Sequence, residues 1–151
     1  MMSVGPKTVF QVLLVEDDPG DVELAKLALA QCAFPCQVTV AVNGKDAMAA
    51  LRRLPPRADA PAPDLVLLDL NLPQMNGREV LAQMRVDPAL AGIPVVVLTT
   101  SDVERDVAAC YDLGASGYVT KPVDVDELFR RVHAVAEYWF GTVRRPQRHR
   151  P

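Results

Sequence analysis

Carboxylate side chains follow two apolar segments of the sequence. Glu16 and Asp17 come directly after the segment that ends at Val15, and Asp69 follows the segment Leu65–Leu68. Carboxylates gathered in one crevice repel one another, which is costly unless a cation or a proton relieves the repulsion. The pattern therefore predicts a divalent metal ion bound beside a reactive aspartate.

The residue types favour Mg2+ as that metal. Mg2+ takes oxygen ligands in octahedral geometry and retains several water molecules. Asp17, Asp69 and a backbone carbonyl near Asn71 are the candidate ligands, with Glu16 acting through water. Such an ion would reduce the repulsion among the carboxylates and would neutralise an incoming phosphoryl group.

Asp69 is then a candidate nucleophile, because a carboxylate can attack phosphorus and form an acyl phosphate. Phosphoryl transfer needs mainly alignment and charge stabilisation, for which Lys121 would supply a cation and Thr99 a hydroxyl donor. Neither histidine, His133 or His149, belongs to these motifs. A histidine mechanism within this chain is therefore not expected.

Five short β-branched segments alternate with five longer segments of helical period, which predicts a parallel sheet wrapped by helices. The predicted strands are Val9–Val15, Gln37–Val42, Asp64–Asp69, Val95–Thr99 and Gly117–Thr120. The first, third and fourth are almost entirely apolar, as strands covered on both faces should be. We therefore expect an α/β fold with a doubly wound, five-stranded parallel sheet, whose ligands bind beyond the carboxyl ends of the strands.

Capping residues predict where the helices begin. Asp18 followed by Pro19 predicts the start of the first helix, and Asn43 predicts the start of the second. Asp124, with Glu127 three residues later, is typical of the cap of a helix after the fifth strand. The third and fourth helices are predicted over residues 78–85 and 103–113.

The composition narrows the class of protein. The 151 residues suit one domain, and no apolar run approaches the roughly 20 residues that a membrane span needs. Residues 1–143 carry 12 basic against 19 acidic side chains, which argues against nucleic acid as the main partner. The three cysteines lack metal-type spacing and are expected to be reduced. With no signal-peptide pattern at the start, a cytoplasmic protein is expected.

Six motifs stand in a characteristic order. They are Val15-Glu16-Asp17-Asp18-Pro19, Leu68-Asp69-Leu70-Asn71-Leu72-Pro73, Met75-Asn76-Gly77, Val97-Leu98-Thr99, Gly114-Ala115-Ser116-Gly117-Tyr118 and Lys121-Pro122. Their order and spacing resemble the receiver domain of two-component response regulators over residues 9–138. The resemblance implies the (βα)5 flavodoxin-like receiver fold and phosphorylation of Asp69 by a sensor histidine kinase.

The resemblance also implies roles for individual residues around the metal. Asp17 matches the direct metal ligand, and Glu16 matches the outer acidic residue. Asn71 matches the residue whose backbone carbonyl binds Mg2+, and Lys121 matches the cation that pairs with the phosphate.

Two further matches concern the response to phosphorylation, and a third concerns the orientation of Lys121. Thr99 matches the switch hydroxyl that moves toward the phosphoryl group, and Tyr118 matches the aromatic residue that follows it inward. Tyr118 could equally be an ordinary strand aromatic. Pro122 matches a proline whose preceding peptide bond is cis in this family, which would direct Lys121 inward.

A closer resemblance is to the single-domain response regulators that accompany bacterial and cyanobacterial phytochromes. It rests on the segments Asp17–Asp21, Leu98–Asp102 and Tyr138–Phe140. Those relatives have no output domain, and the partner they imply is a phytochrome-type histidine kinase. We accordingly expect an N-terminal extension over residues 1–8, a receiver domain over residues 9–140 and a basic tail over residues 141–151.

The same resemblance implies a homodimer. Tyr138, Trp139 and Phe140 are the candidate contact residues, because aromatic residues in succession cover a suitable surface. The alternative is that these three side chains seal the fifth helix against its own core.

Two other functions stay open. An aspartyl-phosphate phosphohydrolase also uses Asp, Thr and Lys on such a sheet, but it places its nucleophile after the first strand, with a second Asp two residues later where this chain has Asn71. A docking-only pseudo-receiver would lack one of Asp17, Asp69 or Lys121, and all three are present. We expect a phosphoacceptor signalling protein rather than an enzyme, one that catalyses only its own phosphorylation and slow dephosphorylation.

Overall fold

Five parallel strands form one sheet in the computed structural model, which describes residues 9–144. The strands are β1 (Phe10–Val15), β2 (Cys36–Ala41), β3 (Leu65–Leu68), β4 (Val95–Thr99) and β5 (Gly117–Thr120). They lie in the order β2-β1-β3-β4-β5, so the winding direction switches between the neighbouring strands β1 and β3. The doubly wound, five-stranded parallel sheet predicted from the sequence is confirmed.

The helices of the described residues connect the strands and follow the last one. They are α1 (Pro19–Ala30), α2 (Gly44–Arg52), α3 (Gly77–Val86), α4 (Glu104–Asp112), α5 (Val125–Ala136) and a terminal π-helix (Glu137–Thr142). The predicted caps Asp18, Asn43 and Asp124 each accept a hydrogen bond from a backbone N–H three residues later. These caps satisfy N–H groups that the first helical turn leaves without partners.

Apolar side chains cover both faces of the sheet. Alternate residues of β1 point to opposite faces, so Leu13 and Val15 pack with Val80 of α3, whereas Val12 packs with Leu29 of α1. All five are buried. Burying a side chain of this size stabilises the fold by about 1.5–3 kcal/mol, and the packing holds the carboxyl ends of the strands in fixed positions.

The terminal π-helix was not predicted, and it divides the aromatic triplet. The ring of Phe140 stacks on Phe10 with centroids 4.2 Å apart and meets Phe34 edge-on at 6.2 Å. Trp139 is half-buried against the same layer of the core. Tyr138 is 53% exposed. Packing against the chain's own core therefore accounts for Phe140 and Trp139, and Tyr138 faces solvent.

The prediction of a cis peptide bond before Pro122 is wrong for this structure. Within residues 9–144 the cis bond lies between Pro55 and Pro56, and the bond from Lys121 to Pro122 is trans. The backbone N–H of Lys121 donates to the carbonyl oxygen of Thr99 at 2.7 Å. This hydrogen bond extends the pairing of β5 with β4 to Lys121, and the Lys121 side chain reaches the site with the following peptide bond trans.

No helix within residues 9–144 has the length and apolar character that crossing a bilayer requires. The N-terminal extension, residues 1–8, and residues 145–151 of the basic tail lie outside the described residues.

Candidate functional site

The predicted site residues meet at the carboxyl edge of the sheet. Backbone hydrogen bonds carry the alignment past the strand ends: the N–H of Glu16 donates to Ala41 at 2.9 Å, and the N–H of Asp69 donates to Val15 at 3.0 Å. Glu16 and Asp69 are therefore held beside one another at the ends of adjacent strands. Both side chains are buried, at 3% and 7% exposure.

Three carboxylates form an acidic cluster at this edge. Glu16, Asp17 and Asp69 each offer an oxygen atom, and these atoms all lie within 4.8 Å of one another. Asp17 is exposed, whereas the other two are buried. An all-oxygen set of this kind suits a hard divalent cation that keeps part of its water shell. Asp18 stands apart from the cluster, because its carboxylate caps α1 by accepting from the N–H of Asp21 at 2.9 Å.

Lys121 is the cation of the site. Its Nζ donates to Glu16, to Asp21 at 3.0 Å and to Asp69 at 3.3 Å. The Lys121 side chain is only 10% exposed, and those of Glu16 and Asp69 are also buried, so these two ion pairs are shielded from solvent and are stronger than pairs on a free surface. Asp21 is more exposed. Sequence reasoning missed Asp21 as a partner of Lys121. The sequence carries no local signal of this contact, because Asp21 lies on α1, 100 residues before Lys121.

The Asp69 carboxylate is held through both of its oxygens. Oδ1 accepts from the Thr99 hydroxyl at 2.9 Å and from the backbone N–H of Asn71 at 3.2 Å, and Oδ2 accepts from Lys121. Thr99 is fully buried. The structure thus brings together the residues predicted from the ends of β1, β3, β4 and β5.

Burial and neighbouring charge shift two ionisation equilibria. Burial raises the pKa of Glu16 to about 7, although Lys121 acts in the opposite direction. Burial alone would lower the pKa of Lys121, but the carboxylates of Glu16 and Asp69 outweigh it and hold the pKa above its ordinary value. Lys121 is therefore a permanent cation between acidic groups.

A second polar network leads away from the cluster. The Tyr118 hydroxyl donates to the carbonyl oxygen of Ser101 at 2.8 Å, and the Ser101 hydroxyl donates to Asp106 at 2.6 Å. Asp106 also pairs with Arg78. Sequence reasoning missed Arg78 and Asp106, because residues 28 positions apart on different helices carry no local signal of pairing.

The arrangement supports one kind of chemistry well. A buried carboxylate is oriented by a hydroxyl and an ammonium group, and two further carboxylates beside it can hold a divalent cation. Positive charge around an acceptor carboxylate favours reaction with a phosphoryl group, which is rich in negative charge.

Comparisons with known proteins agree with this geometry. Residues 12–133 match the protein family described as the response regulator receiver domain. The chain is 42% identical over 135 residues to Response regulator Rcp1 of Synechocystis sp. (strain ATCC 27184 / PCC 6803 / Kazusa), which covers 89% of this chain and 92% of Rcp1.

Two solved structures resemble nearly the whole chain. The phosphorylated cyanobacterial phytochrome response regulator RcpA superposes with a TM-score of 0.88 and 44% identity, covering 93% of this chain and 100% of RcpA. The Mn2+-bound form of Rcp1 superposes with a TM-score of 0.85 and 41% identity, covering 94% of this chain and 100% of Rcp1. The predicted receiver fold and the resemblance to phytochrome-associated response regulators are thereby confirmed.

Proposed function

The chain belongs to the response regulator receiver family, and we propose that Asp69 is its phosphoacceptor, receiving a phosphoryl group from a sensor histidine kinase in a two-component phosphorelay. One observation carries the assignment of Asp69. It is the buried carboxylate whose two oxygens contact the Thr99 hydroxyl and the Lys121 ammonium group. Asp17 is exposed. Glu16 is buried and contacts Lys121, but the Thr99 hydroxyl donates to Asp69.

Mg2+ is the proposed cofactor. The acidic cluster fits a small hard cation because all of its ligand atoms are carboxylate oxygens within 4.8 Å of one another. Asp17 and Asp69 would bind the ion directly, together with the backbone carbonyl of Asn71, and Glu16 would act through water. When bound, Mg2+ supplies positive charge that reduces repulsion between the acceptor and the phosphoryl oxygens. The Mn2+-bound form of Rcp1 supports a divalent cation in this family.

The transfer itself follows from the contacts of Asp69. An oxygen of its carboxylate forms a bond to phosphorus as the bond from phosphorus to the donor nitrogen of the kinase histidine breaks. Lys121 exchanges its contact with the free carboxylate for one with a phosphoryl oxygen. Thr99 donates its hydroxyl hydrogen to another phosphoryl oxygen.

Thr99 and Tyr118 form the proposed switch. The Thr99 hydroxyl donates to the Asp69 carboxylate at 2.9 Å. A phosphoryl group on Asp69 would offer the Thr99 hydroxyl a new acceptor. Tyr118 is held by its 2.8 Å bond to Ser101 in the loop between β4 and α4. Movement of Thr99 would let Tyr118 turn inward and release that loop, which changes the surface formed by α4, β5 and α5.

We propose a phytochrome-type sensor histidine kinase as the partner. The similarity to Rcp1, and to RcpA as a phytochrome response regulator, supports this partner. The cytoplasm is the proposed location, which the three free cysteines support because thiols stay reduced there. The acidic balance of residues 1–143 argues against direct binding to nucleic acid.

A homodimer is proposed as the assembly, with Tyr138 as its central contact among the aromatic triplet. Tyr138 is 53% exposed, whereas Trp139 and Phe140 pack against the chain's own core. Sedimentation velocity of Tyr138→Ala is expected to show a shift from dimer toward monomer. Phe140→Leu serves as the control for core packing. An unchanged mass distribution in Tyr138→Ala would remove this residue from the interface.

A signalling role is proposed in preference to turnover of a substrate. The hydrolase pattern of a second aspartate two residues after the nucleophile is absent here, since that position is Asn71. The docking-only alternative is disfavoured because Asp17, Asp69 and Lys121 are all present and in one cluster.

The test is the intact mass after incubation with acetyl phosphate, with and without Mg2+, on the wild type and Asp69→Asn. The expected result is a gain of one phosphoryl group that requires Mg2+ and is lost in the variant. Asp87→Asn, in the loop after α3, is the matched control and should behave as the wild type. Persistent labelling of Asp69→Asn would overturn the assignment, and continuous release of phosphate would favour a hydrolase.

A further inference from the structure

A cavity of about 480 Å3 opens beside the acidic cluster. Its walls include Asp17 and Asn71 from the site, together with Arg78 near the start of α3 and Asp106 of α4. Arg78 and Asp106 form an ion pair across this wall. A cation therefore lines the same cavity as two residues of the proposed metal site.

Asp106 is the carboxylate that competes with a ligand for Arg78. One oxygen of Asp106 pairs with Arg78, and the other accepts from the Ser101 hydroxyl at 2.6 Å. The Asp106 side chain is 18% exposed, whereas that of Arg78 is 44% exposed. A guanidinium group carries five N–H donors and stays charged at any working pH, so a single carboxylate leaves donors for a ligand in the cavity.

We propose that Arg78 is a specificity-determining residue for phosphorylation of Asp69, one that favours small phosphodonors whose leaving group is an anion. The inference rests on the proposed function of Asp69. In-line displacement places the leaving group on the side of phosphorus opposite the attacking Asp69 oxygen, away from the buried end of the site. The leaving group would enter the cavity beside Asp17 and Asn71, and Arg78 is the cation in the wall of that cavity.

Two small phosphodonors, acetyl phosphate and phosphoramidate, differ in the charge of the leaving group. With acetyl phosphate, Asp69 bonds to phosphorus as the bridging P–O bond breaks, and acetate leaves with the electron pair. With phosphoramidate, the P–N bond breaks, and the nitrogen, already protonated, leaves as ammonia. Arg78 attracts the departing carboxylate and repels the protonated nitrogen, while the nucleophile and the transferred group are the same.

Two variants break the same ion pair and separate this role from a structural one. Arg78→Gln removes the cation, so the rate with acetyl phosphate should fall about fivefold, while the rate with phosphoramidate should change less than about twofold. Asp106→Asn removes the competing carboxylate and leaves the cation, so the acetyl phosphate rate should rise. Arg85→Gln, at the other end of α3, removes the same charge far from the site and is the matched control.

The experiment measures the rate of phosphoryl gain by mass spectrometry for each variant with each donor at saturating Mg2+. The inference requires the ratio of the acetyl phosphate rate to the phosphoramidate rate to fall in Arg78→Gln and rise in Asp106→Asn. A ratio that stays constant in either variant, or moves the same way in both, overturns it and makes the ion pair structural. Absence of phosphorylation of the wild type by both donors would instead overturn the proposed function.

Discussion

Gly77 offers a sharp test of how the fold positions the site. It is the first residue of α3, where that helix meets the end of β3. A Cβ atom added at Gly77 would lie 2.4 Å from the carbonyl oxygen of Asp69 and 2.8 Å from the Cα of Leu70. Ordinary contact for a Cβ atom begins at 3.4 Å, so α3 and the end of β3 must separate by about 1 Å. Because the contacted atoms are backbone, no side-chain rotation relieves the clash.

The magnitude of Gly77→Ala follows from two opposing effects. Overpacking of this kind costs about 1–3 kcal/mol, whereas replacing glycine by alanine in a helix gains up to about 1 kcal/mol. We expect the free energy of unfolding to fall by about 1–2 kcal/mol. The same displacement moves the Asp69 carboxylate and the Asn71 carbonyl, and a misplacement of about 1 Å can slow a reaction by about 100-fold. A fall of about 10- to 100-fold in the phosphorylation rate is therefore expected.

Urea unfolding and the rate of phosphoryl gain from acetyl phosphate measure the two effects. Gly92→Ala is the matched control, since a Cβ atom at Gly92 meets nothing within 4 Å. It should leave both quantities close to those of the wild type. If Gly77→Ala were as stable as the wild type and equally fast in phosphorylation, the close approach of α3 to β3 would not determine the geometry of the site.

Three other substitutions test separate parts of the account. Lys121→Ala should retain Mn2+ binding in a calorimetric titration but slow acyl phosphate formation by at least about tenfold; a normal rate would remove Lys121 from the reaction. The hydrogen bonds from Arg57 hold the pKa of Asp46 below its ordinary value of 3.8. The ion pair therefore stabilises the fold above pH 3.8, and this stabilisation is lost as the pH falls through the lowered pKa. Asp46→Asn should accordingly lower the free energy of unfolding by about 1.5–3 kcal/mol at pH 7, with the difference from the wild type closing in acid; a difference independent of pH would contradict the ion pair. Phe140→Ala removes the stacked contact with Phe10 and should cost about 1–3 kcal/mol in urea unfolding, whereas no change would mean that the terminal π-helix does not support the core.

The sheet was predictable because short strand-forming segments alternate with segments of helical period, and three of the strands are almost entirely apolar. The bounds of β4 and β5 agree with prediction to the residue. β1 begins at Phe10 rather than Val9, because pairing with β2 starts there and an apolar side chain does not by itself create a partner. The π-helix had no such signal, since an aromatic triplet is compatible with a core contact and with a surface.

The site was predictable as far as it depends on strand ends. Parallel strands bring their carboxyl ends to one edge, so Glu16, Asp69 and Thr99 had to meet once the sheet was assigned. Contacts that depend on side chains reaching across helices were not predictable. Asp21 joins Lys121 from 100 residues away. The bond before Pro122 is the ordinary trans isomer, whereas the family resemblance implied the cis isomer.

The most direct test of the central claim is to locate the phosphoryl group chemically. Borohydride reduces an aspartyl phosphate to homoserine, which changes the mass of one peptide. The wild type would be treated with acetyl phosphate and Mg2+, reduced, digested and sequenced by mass spectrometry. We predict homoserine at residue 69 when Mg2+ is present and unmodified aspartate when it is withheld. Homoserine at Asp17 or at another acidic residue, with Asp69 intact, would contradict the account.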